Sequence, residues 1–162
     1  IKAYPFKRHV IDQANPTPFC MQPIFSWKDS LFACSYLRVL IDRADADPDC
    51  PELTAQQKEA IDFLDEVCER ENLQTRFTLK AGDLLFLNNW TTLHRRTGFE
   101  DFQDPKKRRH LLRVWLSMPN SRPLDEAFRA NFGAVEAGAL RGGIHPITGQ
   151  LVSFQRKTIK KS

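Results

Sequence analysis

The chain lacks the features that mark several protein classes. No apolar run approaches the roughly 20 residues of a membrane-spanning helix, and no signal-peptide pattern is visible, so we expect no membrane partner. The 4 cysteines include no Cys-x-x-Cys pair, which argues against a zinc ribbon. Because nothing suggests a small secreted scaffold, we expect reduced thiols and a cytoplasmic protein.

Positive charge is concentrated in two short runs. The net charge is +4, and basic residues cluster at 106–109 and 156–161. Aromatic residues do not alternate with these lysines and arginines as they do in nucleic-acid stacking platforms. A solvated loop and a chain terminus explain both runs, so we expect no nucleic-acid partner.

The length of 162 residues suits one domain with a substantial core. We predict a mainly β protein with flanking helices. Four prolines within the first 27 residues favour extended segments there. The predicted divisions are an extended, lid-like region at 1–52 with a helix over 31–46, a bracing helix at 53–72, core strands at 75–118 and a C-terminal tail at 119–162.

Two helical features carry specific expectations. Thr54 and Gln57 have the spacing of a capping box and predict a helix start. The helix from 55 to about 71 presents one apolar stripe to a sheet: Ala60, Ile61, Leu64, Val67 and Cys68. Arg38, in the earlier helical pattern, is interpreted as a surface charge or, alternatively, as a group that reaches a substrate. A short helix is expected to end at Gly133.

Residues 75–87 carry two strand patterns. Residues 75–80 alternate, with Phe77 and Leu79 predicted to point inward. After a turn at Ala81 and Gly82, the apolar run 84–87 is typical of a buried strand.

Residues 109–117 predict a strand with an unusual face. Side chains alternate along a strand, so one face carries Arg109, Leu111, Arg113 and Trp115, and the other His110, Leu112, Val114 and Leu116. The second face is predicted to be core. A separation of four residues places the two arginines roughly 13 Å apart, too far to bind one small carboxylate together. We expect two separate anionic or polar partners, since an unpaired buried charge is costly.

His94 lies between these strand patterns, where a single histidine is more often a structural residue than a metal ligand. In combination with the asparagine turn, the acidic loop and the paired arginines, however, residues 82–116 resemble the C-terminal core of TauD/TfdA-type dioxygenases, which use Fe(II) and 2-oxoglutarate. The matching residues are Asn88-Asn89, Leu93-His94-Arg95-Arg96, Phe99-x-Asp101 and Arg109-His110-Leu111-Leu112-Arg113-x-Trp115-Leu116.

The resemblance implies a fold and a site. The fold would be a double-stranded β-helix, or jelly roll, of which this chain is the C-terminal part. His94 would be the distal histidine of a 2-His-1-carboxylate iron site. Arg109 would pair with the far carboxylate of 2-oxoglutarate, and Arg113 would face the substrate. A register slip of one residue would put Arg108 in place of Arg109.

The implied activity is oxidation of a small anionic or amino-acid-like molecule. Fe(II), 2-oxoglutarate and O2 would take part, with release of succinate and CO2. Hydroxylation is the default outcome, and desaturation or cyclisation would use the same residues. The alternative is a non-catalytic barrel without iron that binds an anionic small molecule through Arg109 and Arg113.

The chain does not contain the other two ligands that the resemblance implies. None of the 4 histidines is followed two residues later by Asp or Glu. The nearest match, His9-Val-Ile-Asp12, has one residue too many for both side chains to share a strand face. Because the sequence begins with Ile1, we expect an N-terminal remainder of the same polypeptide to supply the pair. A degenerate homologue without iron is the other interpretation.

Overall fold

The computed structural model describes residues 2–8 and 16–141. Outside the described residues lie the stretch from His9 to Asp12 and the basic run at 156–161. The strands and helices are β1 (Ala3–Lys7), β2 (Phe19–Pro23), β3 (Phe25–Lys28), β4 (Leu31–Cys34), α1 (Arg38–Asp45), α2 (Ala55–Cys68) and α3 (Arg129–Phe132), with 3-10 turns at Glu71–Leu73, Pro105–Lys107 and Glu126–Phe128.

The four strands form two antiparallel pairs. In the first, β1 pairs with β2, from Ala3 opposite Pro23 to Lys7 opposite Phe19. In the second, β3 pairs with β4 as a hairpin whose two-residue loop is Asp29 and Ser30. Both loop residues have positive φ, 50° and 62°, as in the turns whose twist matches a two-residue hairpin.

The main core lies between β1, β2 and the first two helices. Its buried members are Tyr4, Phe6, Cys20, Ile24, Cys34, Ile41, Leu53 and Ile61. α2 begins with the capping box that the sequence predicts, because Thr54 accepts from the backbone N–H of Gln57 and the Gln57 side chain accepts from that of Thr54. The side-chain amide of Gln57 also donates a hydrogen bond of 3.0 Å to the backbone carbonyl of Ala3. α2 therefore braces β1.

The segment predicted as a helix over 31–46 is wrong in its first part. Leu31–Cys34 is β4, and helix α1 begins only at Arg38. Arg38 binds three carboxylates, those of Asp42, Asp62 and Asp65, at 2.7, 2.8 and 2.8 Å. Burial by itself would lower the pKa of Arg38, but hydrogen bonds to Asp42 and Asp62 outweigh burial and raise the pKa. Arg38 thus joins α1 to α2, and its guanidinium is occupied.

A second cluster attaches the C-terminal segment to β4. Ala33, Leu124, Phe128 and Val135 are buried in it, and Trp90 and Phe132 pack against them. Arg122 adds a hydrogen bond of 2.7 Å to the carbonyl of Phe32. α3 ends at Gly133, whose φ of 75° suits a residue without a side chain.

The core strands predicted at 75–118 are not formed in the described structure. The turn at Ala81 and Gly82 is present, with Gly82 at φ 92°, but no strand follows it. Side chains predicted to be core are exposed: Phe77, Leu84, Leu112 and Val114. A strand with an apolar face needs neighbouring strands and a facing layer, and residues 75–118 contribute no strand to either described sheet. The architecture is small sheets with helices, and a closed jelly roll is absent from the described residues.

No described helix has the length and apolar character needed to cross a bilayer. All four cysteines lie within the described residues and are free thiols.

Candidate active site

The segment that carries His94 is fixed to the folded core at its N-terminal end by Trp90. The Trp90 carbonyl accepts a hydrogen bond of 2.8 Å from the backbone N–H of Cys34, at the end of β4. The indole packs edge-on against Phe132, with ring centroids 4.9 Å apart. Asn88 stabilises the turn that precedes Trp90, because its side chain accepts a hydrogen bond of 3.1 Å from the backbone N–H of Trp90.

The same segment is fixed on the other side of His94 by an ion pair. The Arg95 guanidinium lies 2.5 Å from a carboxylate oxygen of Glu69, just after α2. The hydrogen bond from Arg95 lowers the pKa of Glu69. His94 itself is exposed to solvent. It therefore sits on a short stretch held at Trp90 and at Arg95, with its own ring not enclosed by protein.

The described residues do not complete an iron site. No group of three His, Cys, Asp or Glu side chains within residues 2–8 and 16–141 is placed to hold a metal ion. A catalytic non-haem iron site of the implied type needs two histidines and one carboxylate. His94 is thus one candidate ligand, and the set present in the described structure does not by itself fit the metal.

The loop between His94 and the arginines is closed by hydrogen bonds to its own backbone. The Asp101 carboxylate accepts from the backbone N–H of Arg109 at 2.9 Å and from that of Phe102 at 3.1 Å. Asp104 accepts from the backbone N–H of Lys106 at 3.0 Å and so starts the 3-10 turn. Both acids therefore stabilise the loop through backbone N–H groups.

Arg108 and Arg109 have different surroundings. The Arg108 guanidinium donates to the carbonyls of Phe102 and Gln103 at 3.2 and 3.3 Å, so it turns back onto its own loop. The Arg109 guanidinium lies against the ring of Phe99, 5.4 Å from its centroid. The guanidinium of Arg96 lies against that same ring at 4.3 Å. Phe99 therefore brings the His94 segment and the arginine segment together.

The two predicted faces of residues 109–117 do not differ in burial, because side chains of both are exposed. Leu112 on the expected core face is 83% exposed, and Trp115 on the arginine face is 71% exposed. Arg113 is also exposed. The expected core role of the His110 face is wrong in this structure, and the roles of His94, Arg109 and Arg113 stay predictions.

Sequence reasoning missed the residues that position the site. The sequence assigns no role to Trp90 or Glu69, and it marks Phe99 only as a residue that matches the family. Each of the three makes a specific contact with the His94 or Arg109 segment. Only Phe99 had a local signal, an aromatic three residues after Arg96. The partners of Trp90 and Glu69 lie tens of residues away in the sequence, so no spacing rule indicates them.

A family model described as "Taurine catabolism dioxygenase TauD, TfdA family" matches residues 3–115. The chain belongs to the TauD/TfdA family. The match includes His94, the Phe99 loop and both Arg109 and Arg113. The resemblance stated from the residues is therefore confirmed, and the members of this family are oxygenases.

Two curated relatives share parts of the chain. It is 27% identical to FR-33289 synthase of Streptomyces rubellomurinus over 128 residues, which are 75% of this chain and 37% of that protein. It is 36% identical to a taurine hydroxylase-like protein, SAT17, of Stachybotrys chartarum over 86 residues, or 48% of this chain and 22% of that protein. The chain thus spans well under half the length of both relatives.

Proposed function

We propose that the protein is an Fe(II)- and 2-oxoglutarate-dependent dioxygenase, and that this chain supplies the co-substrate arginine and one iron ligand. The observation that carries the proposal is the TauD/TfdA match over residues 3–115, a range that includes His94 and Arg109. The bound iron would activate O2 while 2-oxoglutarate is converted to succinate and CO2.

Arg109 is the residue proposed to bind 2-oxoglutarate. Its guanidinium stacks on Phe99, and no carboxylate of the described residues is within ion-pair distance of it. Arg38, Arg95 and Arg129, by contrast, each bind an acid of the protein. A planar guanidinium that retains its donors can grip a carboxylate with two parallel hydrogen bonds. Arg108 is less suited because its donors are directed to loop carbonyls.

His94 is proposed as one protein ligand of the iron. Its anchored neighbours, Trp90 and Arg95, hold the backbone on either side of it. The remaining ligands of a two-histidine, one-carboxylate set must come from outside the described residues. We propose that they belong to parts of the same polypeptide other than the described residues.

The substrate is proposed to be small and anionic or amino-acid-like. Arg113 follows Arg109 by four residues, a spacing that on a strand separates two guanidiniums by roughly 13 Å. It also makes no ion pair with a described residue. The names of the family and of the fungal relative refer to taurine, a sulfonate, and a sulfonate or carboxylate is a suitable partner for Arg113.

The exposed apolar residues of 75–118 favour the proposal that the full-length protein has a larger fold than the two described sheets. Leu84, Phe86, Leu112 and Val114 are each at least 75% exposed, which is unfavourable for so many large side chains in one segment. We propose that they pack against the rest of a jelly roll in the full-length protein, where residues 84–87 and 109–117 form strands.

Succinate formation tests the proposed activity directly. The full-length protein is supplied with Fe(II), 2-oxoglutarate and O2, with a panel of sulfonates and amino acids as substrates. We expect His94→Ala to abolish turnover. We expect Arg109→Ala to raise the KM for 2-oxoglutarate by at least about 30-fold, since truncating one partner of a desolvated charge pair costs several kcal/mol.

The control is Arg43→Ala, which removes an exposed arginine of α1 that forms no ion pair with a described residue. It should keep wild-type kinetics. Undiminished turnover in His94→Ala would remove the iron-ligand assignment. Arg109-dependent binding of 2-oxoglutarate without succinate would favour the non-catalytic barrel instead.

A further inference from the structure

The loop between His94 and Arg109 contains an aromatic ring that contacts two guanidiniums. Arg96 lies 4.3 Å and Arg109 5.4 Å from the centroid of Phe99. Both distances are within the roughly 6 Å at which a cation is attracted to a ring face. The ring therefore links the chain just after His94 to the start of the arginine segment.

The backbone at Arg109 is held independently of this ring. Asp101 accepts the Arg109 backbone N–H at 2.9 Å, while Arg108 is tied back to the carbonyls of Phe102 and Gln103. These bonds involve the backbone of Arg109 and the side chain of Arg108, and none of them involves the Arg109 guanidinium. An arginine loses considerable rotamer freedom when it is ordered, so a surface that orders it beforehand favours ligand binding.

We propose that Phe99 is a positioning residue for Arg109, which orients the guanidinium for 2-oxoglutarate before the co-substrate arrives. This inference rests on the proposed function. Through Arg96, the same ring also keeps the His94 segment beside that guanidinium. Stacking uses the face of the guanidinium and leaves its N–H groups, which lie in its plane, available to a carboxylate.

The proposal predicts a selective effect on 2-oxoglutarate. Phe99→Leu in the full-length protein should raise the KM for 2-oxoglutarate about two- to five-fold, the size expected from losing an exposed cation–π contact. The kcat and the KM for the primary substrate should stay close to wild type. Phe99→Tyr keeps an aromatic face and should restore the wild-type KM.

A matched control is available three residues further along the same loop. Phe102 is also exposed, at 64%, and no guanidinium lies on its ring among the described residues. Phe102→Leu makes the same chemical change and should leave the KM for 2-oxoglutarate unaltered. An equal rise in both variants would overturn the proposal, since it would indicate a general loosening of the loop.

A double variant separates positioning from structural support. In the Arg109→Ala background, Phe99→Leu should have no further effect on 2-oxoglutarate binding, because the group it orients is gone. A full additional effect would overturn the proposal, as would a fall in kcat or thermal stability without a change in KM.

The two hypotheses fail differently. If Arg109→Ala binds 2-oxoglutarate as well as wild type, the proposed role of Arg109 fails and this inference fails with it. If Arg109→Ala is impaired and Phe99→Leu behaves like wild type, only the role of Phe99 is overturned.

Discussion

Glu69, the residue that follows α2, forms an ion pair with Arg95, the residue that follows His94. The carboxylate and guanidinium are 2.5 Å apart. The pair connects α2, the longest helix of the described residues, to the segment with the candidate iron ligand. The residue after α2 therefore contacts the neighbour of His94 through one hydrogen-bonded ion pair.

Glu69→Gln should lower thermal stability slightly, and the difference from wild type should depend on pH. Arg95 lowers the pKa of Glu69 in the folded state. The pair thus stabilises the fold fully above the unfolded-state pKa of Glu69, and this contribution is lost as the pH falls through the lowered folded-state value. Melting curves of both proteins from neutral to acidic pH test this. A difference that grows on acidification would contradict it.

Removal of the capping box should destabilise α2. Thr54→Ala leaves the Gln57 backbone N–H without its side-chain acceptor, a loss of about 0.5–2 kcal/mol in the free energy of unfolding. Thr54→Ser retains an acceptor hydroxyl and is the control. Urea unfolding followed by circular dichroism measures both, and equal stability of the two variants would exclude the cap as a stabilising element.

Truncation of a core residue in α1 should be more costly. Ile41 is fully buried in the main cluster, and Ile41→Ala is expected to cost about 2–5 kcal/mol through lost burial and the cavity left behind. Val39→Ala, two residues away on the half-exposed side of the same helix, is the control and should cost far less. Denaturant midpoints report both, and similar losses would show that the cluster is not the core.

The Cys34 thiol should resist alkylation in the folded protein. Burial raises the pKa of Cys34 to about 11, so little reactive thiolate exists at pH 8. Cys68 is partly exposed and should react first. Iodoacetamide labelling followed by peptide mass spectrometry resolves the two, with the urea-unfolded chain as the control in which both react. Faster labelling of Cys34 in the native state would contradict its burial.

Local signals predicted the parts of the fold that depend on local interactions. Thr54 and Gln57 determine the start of α2 within one turn, so their spacing was sufficient. The helix predicted over 31–46 failed at its beginning because residues 31–34 pair with β3, a contact that periodicity does not encode. The strands at 75–118 failed for a related reason, since their apolar faces need partners that the described chain does not provide.

The candidate site was predictable only as a set of residue types. His94, Arg109 and Arg113 could be named from a motif that the family match includes. The position of the Phe99 ring between Arg96 and Arg109 depends on how the 99–109 loop closes. So does the choice of Arg109 over Arg108 as the proposed co-substrate residue. That closure is formed by the hydrogen bonds of Asp101 and Arg108, which the sequence does not indicate.

The hydrogen bond from Cys34 to the Trp90 carbonyl has a consequence for self-association. The free side of an outermost strand offers unsatisfied amide groups on which another polypeptide can assemble, a common first step in aggregation. At the end of β4, one of these groups is already capped by a main-chain atom of the same molecule. Because the capping atom is a carbonyl, replacement of the indole would weaken the aromatic packing without removing the cap itself.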